Sequence, residues 1–393
     1  MHKNIITVIL SCLIGFFLVY LFGIFYFYEG LDKTRNDRMY HLKDIEALNF
    51  HKKYTSKLHH LNGKPGVQDQ INTVPENYLF AVVNEFSGKK NKILIQGDSY
   101  AETLTYYRNT YNFLNEFSNK NNVGLINAGI ASYSPSLMSL QLDILEKDFN
   151  IYPNIIVAYF DQSDIGDEIC RYKNKRIFDK NGKLIRIKEK KYSGNIFNYT
   201  KIHNESEILL SQKSKFRKAV ELMNFNLKYR ILKQKSKLSK KIENIKKYGW
   251  KGRKIVKCYW SEIERPLIEN NKEEVNYFKN RIKDYVQKVI SKKHVEKIFI
   301  VTFPHKANLF PTKNKSGQEI YYKANVQKLV EEVLVGFDNI ELINFNDEFK
   351  GREKYFYDYA YIEFDPHLKE NFHFNLFTKT IIKNLEEHLN NSL

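Results

Sequence analysis

Short apolar runs alternate with longer amphipathic stretches along most of the chain. The first clear case is Ile93 to Ile95, a buried-strand pattern within Lys92-Ile-Leu-Ile-Gln-Gly-Asp-Ser-Tyr-Ala101. It stops at Gly97-Asp98-Ser99, and a helical spacing follows from about Ala101 to Phe117. A second apolar run, within Asn122 to Ala131, ends at Asn127 and Gly129. Ser134-Pro135 then gives a cap and a first-turn proline for a helix reaching about Asp148. The third run, Asn154 to Phe160, ends in Asp161-Gln-Ser-Asp164. Two later strands are readable at Glu296 to Thr302 and Asn339 to Asn344. They follow helices predicted over about Lys272–Lys292 and Gln318–Val335, and a last helix spans about Leu376–Leu389.

Strands alternating with helices predict an α/β domain: a mainly parallel sheet with helices on both faces. In such sheets ligands sit at the carboxyl ends of the strands, where the polar residues named above all fall. The division expected is an anchor (1–30), a stalk with an N-terminal helical segment (31–90), an α/β domain in two parts (91–170 and 266–393) and a basic helical insertion (171–265).

The anchor rests on Ile5 to Tyr28, 24 residues without a charge, enough to span a bilayer with some tilt. No small-x-small cleavage site precedes Glu29, so the segment reads as uncleaved. Lys3 favours a cytoplasmic N-terminus, while Lys33, Arg35 and Arg38 oppose it. A single N-terminal anchor commonly exports the chain beyond it, so the body is expected outside the cytoplasm.

Charge changes the picture only locally. The chain carries a formal +18, yet Arg171 to Trp260 holds 28 Lys and Arg against six Asp and Glu. That stretch is +22, which leaves about −4 for everything else. Within it Phe216, Val220, Met223, Leu227 and Ile231 recur at helical spacing, giving a basic amphipathic helix. A solvated insertion and a contact for anionic lipid are both open for it. Nucleic acid is not an expected partner, because no recognised fold for it is present. Of three cysteines, Cys12 lies in the apolar segment. Cys170 and Cys258 allow one disulfide in an oxidising compartment, two free thiols being the default. No Cys or His spacing suits a metal, and neither metal nor cofactor is expected.

Taken alone, Asp98 or Ser99 could simply cap the next helix. The strand ends together say more. Gly97-Asp98-Ser99, Asn127-Ala-Gly-Ile-Ala-Ser-Tyr-Ser-Pro135, Ser163-Asp164 and Asp365-Pro-His367 resemble, in that order, the blocks of the SGNH or GDSL-like hydrolase superfamily. The resemblance covers about Ile93 to Leu389 apart from the insertion. It implies a three-layer α/β/α fold with a five-stranded, flavodoxin-like sheet. It also implies Ser99 as nucleophile, His367 as base and Asp365 as the acid orienting it. The Ser99 and Gly129 amides would hold the oxyanion, and Asp98 and Asp164 would support the site. Ser163 stands where the family has an oxyanion-binding Asn, with Gln162 as another donor; losing one such donor costs about 100- to 1,000-fold in rate.

The function this implies is a membrane-anchored serine esterase or O-acyltransferase. Its partners would be an acylated cell-surface glycan or a lipid-linked glycan precursor. The alternative is a catalytically weak or inactive module that binds or scaffolds surface polysaccharide. His305, at another strand end, is read as a surface residue rather than a substrate contact.

Overall fold

The computed structural model describes residues 79–105, 107–187, 272–313, 319–320, 326–362 and 367–391, with residues 6–15, 17–18, 54 and 58. The chain divides into two units. One comprises Met1–Asn49 and Lys191–Val256, the other Phe50–Lys190 and Lys257–Leu393. The second is the α/β body. Residues 6–15 and 17–18 are helical, and among the described residues no helix is long and apolar enough to cross a membrane. The rest of the expected span, 5–28, and the amphipathic helix expected around Phe216–Ile231 lie outside the described residues.

The body is a six-stranded, mostly parallel sheet between helices. In chain order its elements are β1 (Ala81–Asn84), β2 (Lys92–Gln96), α1 (Ser99–Thr103), α2 (Arg108–Lys120), β3 (Gly124–Asn127) and α3 (Pro135–Phe149). They continue with β4 (Ile155–Phe160), α4 (Lys272–Ile290), β5 (Lys297–Thr302), α5 (Val326–Leu334), β6 (Ile340–Asn344) and α6 (Lys379–Asn391). The strands lie in the order β1-β3-β2-β4-β5-β6, and every pairing is parallel except β1 with β3. The order reverses at β2, which lies between β3 and β4. That reversal opens a crevice beyond its carboxyl end.

Alternation along the strands builds the two faces. Ile93, Ile95, Val157, Phe299 and Val301 pack in one core cluster with Tyr111, Leu114 and Phe117 of α2 and Ile381, Ile382 and Leu385 of α6. On the opposite face Gln96 of β2 donates to Gln141 of α3 at 2.8 Å, and Tyr285 of α4 donates to Gln96 at 2.9 Å. All three side chains are fully buried. Their polar atoms are matched with one another, so burial carries no unsatisfied-group penalty there.

Four elements differ from expectation. The sheet has six strands rather than five, because Ala81–Asn84, within the segment read as stalk, adds an antiparallel edge. Thr103 and Thr105 break the predicted Ala101–Phe117 helix. Their hydroxyls bond back to Tyr100 and Glu102 carbonyls at 2.8 and 3.3 Å, competing with helical continuation. The Gln318–Val335 helix starts only at Val326, and residues 319–320 instead pair with 312–313 as a short hairpin. The last helix is preceded by a π-helical turn at His373–Thr378. Cys170 is disulfide-bonded rather than free. Cys12 is a free thiol, which leaves Cys258, outside the described residues, as the remaining cysteine.

Candidate active site

The sharp turn after β2 positions Ser99. Gly97 sits at φ 151, and a Cβ there would lie 2.6 Å from the Tyr159 Cβ on β4, so only glycine fits. Asp98 caps α1, its Oδ1 accepting from the Tyr100 amide at 3.0 Å. Ser99 is the first residue of that helix, half-buried, with its hydroxyl turned outward. The capping role therefore falls to Asp98, and the Ser99 side chain takes no part in the cap.

Ser99 Oγ lies 2.6 Å from His367 Nε2, 268 residues away in sequence. The imidazole stacks on the buried Tyr100 ring, with centroids 4.8 Å apart and planes at 27°. Tyr100 in turn packs on Phe303, just past β5. For Nε2 to accept the serine proton, a neutral ring must carry its own proton on Nδ1. Asp365 lies outside the described residues.

A second histidine braces the same helix. His373 is buried, its Nε2 3.4 Å from Thr103 Oγ1 on α1. Burial pushes its pKa down to about 4; a hydrogen bond with the Tyr100 backbone opposes this and the charge of His367 adds to it. The folded value is therefore below the unfolded one of about 6.5. Below pH 6.5 the unfolded chain takes up a proton that the folded chain refuses, and stability falls until about pH 4. The expected loss is about 3 kcal/mol between pH 7 and 4. Denaturant melts should show it in wild type and much less of it in His373→Gln.

Two of the other expected oxyanion donors are already engaged. The Gly129 amide donates to Asn127 Oδ1 at 2.9 Å, while Asn127 Nδ2 holds the Ala101 carbonyl of α1 at 2.8 Å. The Ser163 hydroxyl donates to Asp161 Oδ1 at 2.7 Å and lies 3.3 Å from Asp98 Oδ2. Gln162 accepts from the Val326 amide through Oε1, and its buried Nε2 makes no hydrogen bond. The Ser99 amide, at the first helical position, has no intrahelical acceptor to satisfy.

Close to Ser99 stand three buried carboxylates, Asp98, Asp161 and Asp164, with ligand oxygens within 4.8 Å of one another. Burial raises Asp98 well above the usual carboxylate range, and Asp161 raises it further. Burial likewise raises Asp164, followed by the charges of Asp161 and Asp98. Asp161 is raised less, because Ser163 hydrogen bonds and the nearby His367 favour its charged form. Asp98 Oδ2 also lies 3.4 Å from Ser99 Oγ, a longer contact than the 2.6 Å to His367 Nε2.

Asp164 Oδ2 accepts from the Asp161 amide at 3.1 Å, whereas its Oδ1 is buried without a partner. Asp164→Asn keeps the acceptor and removes a charge held above its unfolded pKa. Such a charge costs stability as pH rises through the folded value. The variant should be about 1–3 kcal/mol more stable than wild type at pH 8. The gain should shrink towards pH 5, which parallel thermal melts would show.

A further support was hidden from sequence reasoning. Buried Glu168 caps α3 from a distance, accepting from the Ser136 amide at 2.6 Å and the Ser134 hydroxyl at 2.8 Å. Arg176 pairs with it at 3.1 Å. Ser134 thus caps through Glu168 rather than directly, and a carboxylate 32 residues on leaves no local signature. His305 caps the short Lys306–Leu309 helix, its Nδ1 accepting from Ala307, and its expected surface role gives way to that one. Ser99, His367, the amide-bearing loop at Gly129 and the Asp161–Asp164 turn all stand at the carboxyl edge of the sheet. No family model matches this chain and no curated protein matches it, so the functional reading rests on this geometry and on the sequence blocks.

Proposed function

We propose that the protein is a membrane-anchored serine esterase or O-acyltransferase acting on acyl esters of a cell-surface carbohydrate. The observation that carries this is the 2.6 Å approach of Ser99 Oγ to His367 Nε2 beside a free helix amide. His367 takes the serine proton as Ser99 Oγ attacks the ester carbonyl, and the same ring returns it to the departing alcohol. Asp365 is the carboxylate proposed to hold the Nδ1 proton. The acyl group then passes from Ser99 to water or to a second hydroxyl. The Ser99 amide is the proposed primary oxyanion donor, and Gly129 and Ser163 would join it by exchanging their present acceptors.

The order of the sequence blocks supports an SGNH-like identity, and the reversal of strand order at β2 supports a flavodoxin-like sheet. The uncharged run from Ile5 to Tyr28 supports a membrane anchor. The disulfide at Cys170 supports an oxidising location for the body. An anionic lipid surface is the proposed contact of the basic stretch.

The engaged state of Gly129 and Ser163 favours a second reading, a non-catalytic module that binds surface polysaccharide. A fluorophosphonate probe separates the two. Wild type should be labelled on Ser99, and Ser99→Ala should not be. Absence of labelling on the folded wild-type protein would sink the catalytic reading.

A further inference from the structure

A groove of about 680 Å3 runs between α2 and the segment just beyond His367, within the size range of small-ligand sites. Its lining is chemically uniform. Asn109 and Asn112 face it from α2, and Asn371 and Asn375 from the other wall, with one carboxylate on each side, Glu116 and Glu370. Among the described residues none of these four amides or two carboxylates is taken by a hydrogen bond or ion pair. Phe113 and Phe374, both half-buried, meet edge to face in the groove at 5.3 Å. The second wall includes the π-helical turn at His373–Thr378, a distortion frequent at functional sites.

This is a surface for hydroxyl groups. A side-chain amide both donates and accepts, so it can hold a vicinal diol through two bonds, and a carboxylate adds an acceptor for a third hydroxyl. The aromatic pair offers apolar contact to the C–H face of a ring. No lining residue is cationic, and two are acids, which excludes a preference for anionic ligands. Lys379 stands over the Phe374 ring at 5.2 Å without lining the groove. We infer that the groove between α2 and Glu370–Asn375 binds a neutral saccharide.

One wall of the groove continues the segment that carries His367. Glu370 is three residues beyond His367, and His373 on the same wall touches Thr103 of the helix that carries Ser99. A sugar chain held there would lie beside the segment that carries His367. The saccharide site itself stands without the serine-hydrolase reading; only the use made of the bound sugar rests on it.

The test is calorimetric titration of the purified full chain with chitohexaose, cellohexaose, maltohexaose and a hexamer of galacturonic acid. At least one neutral hexasaccharide should bind, and the acidic one should bind more weakly. Asn112→Ala/Asn371→Ala should weaken binding about tenfold or more, two hydrogen bonds being removed. Both positions are exposed, and circular dichroism checks that the fold is kept. Ser99→Ala should bind as wild type does, and the double Asn variant should still react with the fluorophosphonate probe. Sugar binding without labelling would remove the catalytic reading alone. Labelling with no neutral sugar bound, tighter binding of the acidic hexamer, or an unaffected double variant would overturn the groove assignment.

Discussion

His367→Ala should abolish turnover of a model acyl ester, with a fall of about 10⁴- to 10⁶-fold and little change in folding stability. The reason is that a serine hydroxyl is a poor nucleophile until a base within hydrogen-bond reach removes its proton. Here the imidazole is 2.6 Å away and stacked on a buried tyrosine, whereas the Asp98 carboxylate is farther from Ser99 Oγ at 3.4 Å. Ser99→Ala should cost about as much, and the double variant no more than either alone, since the pair acts as a unit. Steady-state rates of the three variants test this. Additive losses, or a His367→Ala variant within tenfold of wild type, would show that the two residues do not work together. Because His367 is half-buried and only its ring is truncated, a large fall in rate with intact circular dichroism is a statement about chemistry.

Gly129→Ala should be the most damaging single methyl in the body. Its Cβ would lie 2.4 Å from the Glu102 amide nitrogen, 2.5 Å from the Ala101 carbonyl carbon and 2.6 Å from the Ala101 Cβ. All three belong to α1, and two are backbone atoms that no rotamer change can move aside. Overpacking ordinarily costs about 1–3 kcal/mol. This case should reach or exceed the top of that range, because relief requires moving either α1 or the loop that follows β3. Either shift also breaks the bonds from Asn127 to the Ala101 carbonyl and from the Gly129 amide to Asn127. Urea denaturation should show the lost stability, and fluorophosphonate labelling of the surviving folded fraction should slow. A variant as stable as wild type would mean that the two segments are not in contact. The glycine is therefore needed for the close approach that fixes Ser99, whatever its amide does.

Much of this was legible in the chain because the strands carry their own signal. The parallel strands are short, largely apolar runs, and β2, β3 and β4 are each followed by polar residues at the crevice. Ser99, Gly129 and Ser163 follow the ends of β2, β3 and β4, whereas His367 follows a helix at Glu353–Tyr359 and not a strand of the sheet. β1 is the exception: its strand residues Ala81-Val-Val-Asn84 belong to the apolar run Tyr78–Val83, which lies inside the segment read as stalk. The break after Thr103 was missed because threonine hydroxyls compete with a helix only once their partners are in place. Gly129 was read as an amide donor. Sequence alone could not show that Asn127, two residues earlier, accepts that amide, or that Glu102 and Ala101 crowd the missing side chain. His373 and Glu168 act on segments 270 and 32 residues distant, and no local pattern announces such pairs.

The sheet also sets a timetable for biosynthesis. β4 is buried along its whole length. Its neighbour β5 pairs Lys297 with Ile155, 142 residues earlier. At about 5–20 residues per second, one edge of the most apolar strand emerges from the ribosome roughly 7 to 28 seconds before its partner. The stretch made in that interval is the basic one, which repels copies of itself and discourages nascent chains from pairing through the open edge. His367 arrives later still, so a truncated product would carry Ser99 without the imidazole that meets it.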